Sequence, residues 1–185
     1  LKSHLESLPT KGRDQELERG FRLSIDRRFH VSGAGLVVTG TASTGTIHVG
    51  DHLVLQPKSL DVRVRELRAN GVMAKSAAAG QRVALCLAGK VELGDIDRGN
   101  CLVEPSLDQL SHRLDVQLSL LSDAPTALKH LSPAKLYIGA GRVSAKVALI
   151  ENTVSSLAPG QTKMAQLILD SPISAYSGER FVLRD

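Results

Sequence analysis

The sequence predicts an all-β protein built as two antiparallel β-barrels in tandem, entered through a short N-terminal helix. Three features point to this architecture. From Phe21 onward, short aliphatic and β-branched runs are broken by glycine-bearing turns about every 8–12 residues. Several runs alternate apolar and polar side chains, the period of a strand with one buried face. After Pro9 no segment carries the i, i+3, i+4, i+7 recurrence of a long amphipathic helix. With 185 residues, 42% hydrophobic and 23% charged, the chain has room for one large or two small globular domains and is not a disordered polymer.

In chain order, Leu1, Leu5 and Leu8 recur at helical spacing until Pro9 ends the pattern. No capping residue precedes Leu1, so this helix is expected to be the tail of an upstream segment. Residues 9–20 are polar and charged and read as a linker. Strands are expected at 21–26, 35–42, 52–56, 61–68, 82–88 and 101–103, with turns at Gly33–Gly35, Gly45, Gly50-Asp51, Asn70-Gly71 and Gly99-Asn100. In the fourth of these, Val62 and Val64 alternate with Arg63 and Arg65, giving one apolar and one basic face. The polar stretch 104–113 separates a second half. There Leu114, Val116, Leu118 and Leu120 alternate, as do Val143, Ala145, Val147 and Leu149, then Ala165, Leu167 and Leu169, and Phe181–Leu183 completes a last strand. The expected divisions are 1–20 for helix and linker, 21–107 for the first barrel and 108–185 for the second.

Composition excludes several functions. Three Phe, two Tyr and no Trp are too few for a stacking platform for single-stranded nucleic acid. No apolar run approaches the ~20 residues of a membrane span. The net charge of +4 leans mildly towards polyanions, and residues 21–105 hold 11 of the 23 basic side chains against 8 acidic ones. Cys86 and Cys101 form no CxxC pair and are expected to be reduced, packed thiols. His48 and His52 have the spacing of a zinc helix, but Gly50-Asp51 makes a turn between them, so no metal site is expected. Gly33-Ala34-Gly35 is followed by the strand Leu36-Val37-Val38-Thr39 rather than a helix, so it reads as a β-turn and not as a phosphate loop. No GxSxG elbow or Cys–His pairing suggests nucleophilic catalysis.

The densest unusual cluster is Asp26-Arg27-Arg28-Phe29-His30, where a strand enters a glycine turn. A carboxylate there can orient a guanidinium through two parallel hydrogen bonds and fix a cationic site. Arg82 opens the strongly apolar strand Val83–Ala88, either snorkelling to water or standing beside Arg27.

The run Phe21–Gly40, then Ile47–Gly50 with Asp51, then Ala79-Gly-Gln-Arg-Val-Ala-Leu85, then Ile96-Asp-Arg-Gly99 with Cys101–Pro105, resembles the second domain of translational GTPases of the elongation factor Tu type. Asp26-Arg27 and Gly80-Gln81-Arg82 narrow the resemblance to bacterial selenocysteine-specific elongation factors, since the general factor carries Asn at the second place. The second half is similar to the same family in Arg113–Leu121, Leu128-Lys129-His130, Gly141-Arg142-Val143 and Gly178–Phe181. Cys86 departs from the Asn expected in many such factors.

The resemblance implies a tRNA-binding barrel pair from a cytoplasmic, monomeric factor that delivers selenocysteinyl-tRNA to the ribosome in a GTP-dependent manner. Asp26, Arg27, Phe29 and Arg82 would bind the selenocysteine end, and Thr39 with Glu66 would line the site of the 3′-terminal adenosine. It implies no catalytic residue, metal or cofactor here. GTP and Mg would belong to a GTPase domain upstream, and the selenoprotein mRNA hairpin to domains downstream. The alternatives are the barrel pair of a general elongation or initiation factor, or of the GTPase subunit of sulfate adenylyltransferase.

Overall fold

The computed structural model describes residues 17–150 and 156–184, so the helix expected over 1–8 and most of the linker expected over 9–20 lie outside the described residues. From Arg22 onward the described chain is strands, turns and loops, with single turns of 3-10 helix at Leu93–Asp95 and Pro105–Leu107. It separates into two compact units, Leu1–Asp108 and Gln109–Asp185.

The first unit contains β1 (Arg22–Val31), β2 (Gly35–Thr44), β3 (Thr46–His48), β4 (His52–Gln56), β5 (Leu60–Ala69), β6 (Val72–Ala74), β7 (Ser76–Ala78), β8 (Arg82–Gly89) and β9 (Cys101–Val103). Strands run β4-β9-β1-β2-β8-β5, and β5 pairs back onto β4, which closes a six-stranded antiparallel barrel; β6 continues from β5, and β3 pairs with β7. Closure leaves no free edge along the ring. Leu23, Ile25, Val38, Leu67, Leu85 and Leu102 fill the interior with essentially no exposure. The turn from β5 to β6 is Asn70-Gly71, both at positive φ, which matches the right-handed twist of a two-residue hairpin.

Besides a register shift between Arg22 and Leu23, two β-bulges interrupt the ladders of this barrel. One lies between Ile25 and Arg27 of β1 against β2, the other between Val64 and Glu66 of β5 against β8. Side chains alternate faces along a strand, so one extra residue reverses the alternation beyond it. Leu23 and Ile25 point into the barrel, yet Phe29, at the same parity, stands 39% exposed. Val62 and Val64 point in, but beyond Arg65 it is Leu67 that is buried, while Glu66 and Arg68 face out.

The second unit contains β10 (Ser111–Ser119), β11 (Leu128–Lys129), β12 (Ser132–Ile138), β13 (Gly141–Leu149), β14 (Ser156–Leu157), β15 (Thr162–Ile173) and β16 (Phe181–Arg184). Its main sheet is antiparallel in the order β10-β15-β13-β12-β16 and curls as a half barrel, with β11 paired to β14. Leu136, Val147, Leu157, Ala165 and Leu167 are fully buried on its concave side, where Leu128 and Leu157 of the β11–β14 pair join the same cluster. The tandem-barrel fold expected from the sequence is therefore the one observed, with the first barrel closed by its ladder and the second a curled sheet.

The close approach of β1 and β2 requires a glycine at position 40. A Cβ added to Gly40 would collide with the Ser24 carbonyl oxygen and press on the Leu23 side chain. Replacing Gly40 by Ala is expected to cost ~1–3 kcal/mol of stability, the range for overpacking a filled site. Urea denaturation of the variant should show a lowered midpoint at unchanged slope.

Candidate functional site

Register across β1, β2, β8 and β5 assembles one outer face from distant parts of the chain. Phe29 lies opposite Val37, Val37 opposite Cys86, and Cys86 opposite Glu66. The next row runs Arg27, Thr39, Ala84, Arg68, and beyond it Thr41 lies opposite Arg82. The two bulges are what deliver Arg27 and Phe29 on one flank, and Glu66 and Arg68 on the other, to this face.

Asp26 is the residue inserted by the first bulge. Arg82 grips its carboxylate with both terminal nitrogens, Nη1 donating to Oδ2 at 2.5 Å and Nη2 to Oδ1 at 3.1 Å. The Thr39 hydroxyl donates to Asp26 Oδ1 at 2.8 Å and accepts from Arg82 Nη2 at 3.4 Å. The backbone at Arg82 is fixed as well: its N–H donates to Asn70 Oδ1 at 3.2 Å, and the Asn70 N–H donates to the Arg82 carbonyl at 2.8 Å. Side-chain exposure is 50% for Arg82 and 25% for Asp26, so the guanidinium is held in place while one edge faces solvent.

These contacts set the electrostatics. The hydrogen bonds from Arg82 hold the Asp26 carboxyl below the usual carboxylate range, opposed in part by burial and helped by Thr39 and by the nearby charge of Arg27. Reciprocally, Asp26 raises the Arg82 guanidinium above its ordinary value. Asp26, Arg27 and Arg82 together carry one net positive charge. A guanidinium has five N–H donors, of which Asp26 and Thr39 occupy three here, leaving Nε–H and one Nη1–H for a ligand.

Of the sequence-selected residues, Asp26, Thr39 and Arg82 form one hydrogen-bonded group, with Arg27 beside it. Phe29 and Glu66 lie one row further along the face, at opposite ends of the row through Val37 and Cys86. At ~4.8 Å per strand, three strand steps separate them. Thr39 is engaged by Asp26, so a ligand shared with Glu66 must reach across β8. Arg28 turns away from this face, donating to Asp97 at 2.6 Å. Sequence reasoning did not find Asn70 as the anchor of Arg82; Asn70-Gly71 announced a turn, but not what its amide would accept. Arg68 was also missed, although it shares the row of Arg27 and Thr39.

Cys86 is buried, and its Sγ donates to the Ala34 carbonyl at 2.8 Å, tying the β1–β2 turn to the barrel wall. Burial pushes this thiol upward, with Arg65 acting against the shift and Glu66 with it. Both cysteines are free, as expected from the sequence. Among the described residues no cluster of His, Cys, Asp and Glu is arranged to hold a metal ion.

Residues 111–185 match the family described as selenocysteine-specific elongation factor, beta-barrel domain. All of the chain aligns with the selenocysteine-specific elongation factor of Escherichia coli (strain K12), at 37% identity over 185 residues, and with that of Desulfomicrobium baculatum at 31% over 184 residues. The chain is similar over its whole length to selenocysteine-specific elongation factors, and residues 111–185 to their beta-barrel domain. It spans 28% of the length of each of these relatives. The crystal structure of a bacterial selenocysteine-specific elongation factor, EF-Sec, superposes with a TM-score of 0.76 at 25% identity, covering 100% of this chain and 28% of that one. Elongation factor SelB from Methanococcus maripaludis in its apo form shares the fold, at a TM-score of 0.78 and 23% identity, covering 98% of this chain and 40% of the other. The chain therefore corresponds to the β-barrel portion of a translation elongation factor.

Because the folded-state pKa of Asp26 is depressed, its pair with Arg82 adds stability above the unfolded carboxylate value near 3.8 and loses it as pH falls through the lower folded value. For an ion pair this exposed the contribution is ~0–1 kcal/mol. Asp26→Asn should thus melt slightly below the parent at pH 7, and the gap should close as pH falls below the unfolded value near 3.8. Thermal melts of both proteins across that range check it; a gap that stays constant with pH would contradict it.

Proposed function

We propose that this chain is the tRNA-holding part of a factor that delivers selenocysteinyl-tRNA to the ribosome, with the first barrel receiving the aminoacyl end. The observation that supports this reading is the Asp26–Arg82 pair, clamped by Thr39 and flanked by Arg27, on the bulged outer face of that barrel. A selenol is more acidic than a thiol, whose pKa is ~8.5, so selenocysteine is largely anionic at neutral pH while serine stays neutral. Arg82 offers the anion its remaining donors from a fixed position, and Arg27 adds the uncompensated charge. Asp26 keeps the two guanidiniums from repelling each other out of register. Phe29 provides an apolar surface beside the charge, and Thr39 and Glu66 mark the direction of the 3′-terminal adenosine.

One hydrogen bond to a charged group is worth ~1.5–3 kcal/mol, or roughly ten- to hundredfold in affinity. Two such bonds yield ~3–6 kcal/mol of preference for the selenocysteinyl over the seryl ester on the same tRNA body. Asn in place of Arg82 retains a short polar group but supplies no charge.

The glycine loop of the first barrel does not have the form of a phosphate-binding loop. Gly33–Gly35 leads into β2 rather than into a helix, so it presents no phosphate-cradling helix terminus. GTP and Mg are assigned to the portion of such factors outside this chain, as are the messenger RNA hairpin and any GTPase activity. A labelled GTP analogue should accordingly show no saturable binding to the 185-residue chain.

The deciding experiment uses the whole factor with GTP and measures protection of the aminoacyl ester from hydrolysis, comparing selenocysteinyl-tRNA with seryl-tRNA of the same body. Selective protection that falls by about ten- to hundredfold in Arg82→Asn is expected, with the melting temperature little changed. Equal loss for both esters, or equal protection of both by the unaltered protein, would overturn the anion-pocket reading.

A further inference from the structure

We propose that the Asp26–Arg82 site recognises the charge of the esterified side chain and not its element, so that a cysteinyl ester on the same tRNA body becomes a substrate as its thiol ionises with rising pH. On the aminoacyl reading above, on which this rests, the substrate class widens from the selenol to any small chalcogen side chain that carries a charge.

Donors and acceptors are left over unequally at the site. Arg82 keeps Nε–H and one Nη1–H after Asp26 and Thr39 have taken its other three, and the charge of Arg27 lies nearby. The acceptors are largely spent. Asp26 Oδ1 accepts from Thr39 and from Arg82 Nη2, and Oδ2 accepts from Nη1, which fills three of the carboxylate's about four lone-pair positions. Asn70 Oδ1 accepts the Arg82 N–H. A neutral hydroxyl or thiol brings a proton that needs an acceptor here, whereas an anion brings lone pairs alone and meets free donors.

Size is read poorly by such a site. Arg82 is half exposed, and its neighbours on this face are small: Thr41 lies opposite it, and Ala84, two residues along β8, lies in the row between Thr39 and Arg68. Sulfur and selenium are close in radius and both polarisable, so an open-sided pair of N–H groups holds either anion at nearly the same distance. Ionisation separates them. At pH 7 a thiol of pKa ~8.5 is only about 3% ionised, so cysteine presents itself much as serine does, while the more acidic selenol is largely charged.

The site's own charge is constant over the range in which a thiol titrates. The charged groups of this face are Asp26 and Arg27 on β1, Arg82 on β8, and Arg65, Glu66 and Arg68 on β5, while β2 contributes the neutral Thr39. Asp26 is held below the usual carboxylate range and Arg82 above the usual guanidinium value, and neither residue type ordinarily titrates between about pH 6 and 9. Cys86, the thiol of the face, is buried and pushed upward. His30 falls with Arg28 on the opposite side of β1. The ligand is therefore the group that titrates. Binding that takes its thiolate gains about tenfold in affinity per pH unit until the free ester's thiol is half ionised, then levels off.

The test uses the whole factor with GTP and measures ester protection for cysteinyl-, seryl- and selenocysteinyl-tRNA of the same body from about pH 6 to 9, under reductant, with the thiol of the free cysteinyl ester titrated alongside. Seryl-tRNA carries the same α-amino group and meets the same protein, so taking ratios to it divides out every titration but that of the ligand side chain, and the faster ester hydrolysis at high pH as well. The cysteinyl-to-seryl ratio is expected to rise about tenfold per pH unit and to level off at the free thiol's own pKa, close to the selenocysteinyl ratio, which changes little above about pH 7. Arg82→Asn should flatten the cysteinyl curve to that of seryl-tRNA. A cysteinyl ratio that stays flat with pH, or that levels off far below the selenocysteinyl one, would mean that the site measures the element. A slope that survives in Arg82→Asn would place the reading of charge elsewhere. Either result overturns the inference while leaving selective protection of selenocysteinyl- over seryl-tRNA intact. The aminoacyl reading fails on a different result, equal protection of those two esters, so the two failures are distinguishable.

Discussion

Side chains of a strand alternate between two faces, so inserting one residue at Asp26 and another at Arg65 exchanges inside for outside along the rest of β1 and β5. The candidate site depends on these insertions. Without the first, Arg27 and Phe29 would be directed at the barrel interior, where an unpaired guanidinium costs several kcal/mol. Without the second, Glu66 and Arg68 would be. Barrel closure then makes both bulges consequential. With β4 paired to β5, the ring cannot slide to absorb an extra residue, so each insertion is expressed as a local twist and a re-aimed side chain. Gly40 belongs to the same constraint, since only a residue without Cβ lets β2 approach the strand just before the bulge.

The Asp26–Arg82 pair contributes little to stability for so well-formed a contact, because both partners are partly exposed to water. Its value lies in order. A free arginine loses rotamer freedom on meeting a ligand, whereas Arg82 has lost it already to a carboxylate, a threonine hydroxyl and an asparagine-anchored backbone. The carboxylate also cancels one of two adjacent positive charges. A small anion then meets donors fixed in direction with an excess of a single charge, which is the condition for distinguishing an ionised side chain from a neutral one of similar size.

Much of the fold is legible in the sequence, for a simple reason. Strands with one buried face and one wet face alternate, and β5, β13 and β15 do so over most of their length, while β4, β8 and β9 stand out as short apolar runs behind glycine turns. The segments that escape notice lack that contrast. β3, β6 and β7 have three residues each, too few to establish a period. β12 does alternate, through Ala134, Leu136 and Ile138, but Pro133 argues against an interior strand. The structure admits the proline because β16 pairs only from Lys135 onward, so at position 133 one side of β12 needs no N–H. The site is half legible. Asp26 and Arg82 both stand out as charges beside apolar runs, but they are 56 positions apart, and only register decides which guanidinium the carboxylate holds. Bulges leave a weak trace in a sequence, two adjacent polar residues where one was due, as at Arg65-Glu66, and that trace is also what an ordinary exposed strand shows.

The two units present cations in opposite ways. In the first, Arg82 is paired, oriented and half shielded; in the second, Lys135, Arg142, Lys146 and Arg184 are exposed, and among the described residues no acid pairs with them. Screening acts on these differently. At physiological salt the Debye length is ~8 Å, so the field of an exposed cluster is attenuated within about one side-chain length, while a contact formed at hydrogen-bond distance on a fixed guanidinium is attenuated far less. Diffuse cations therefore favour a large polyanion that touches many of them at once, and their contribution varies steeply with salt. A clamped cation favours one atom of one group, and its contribution is nearly constant.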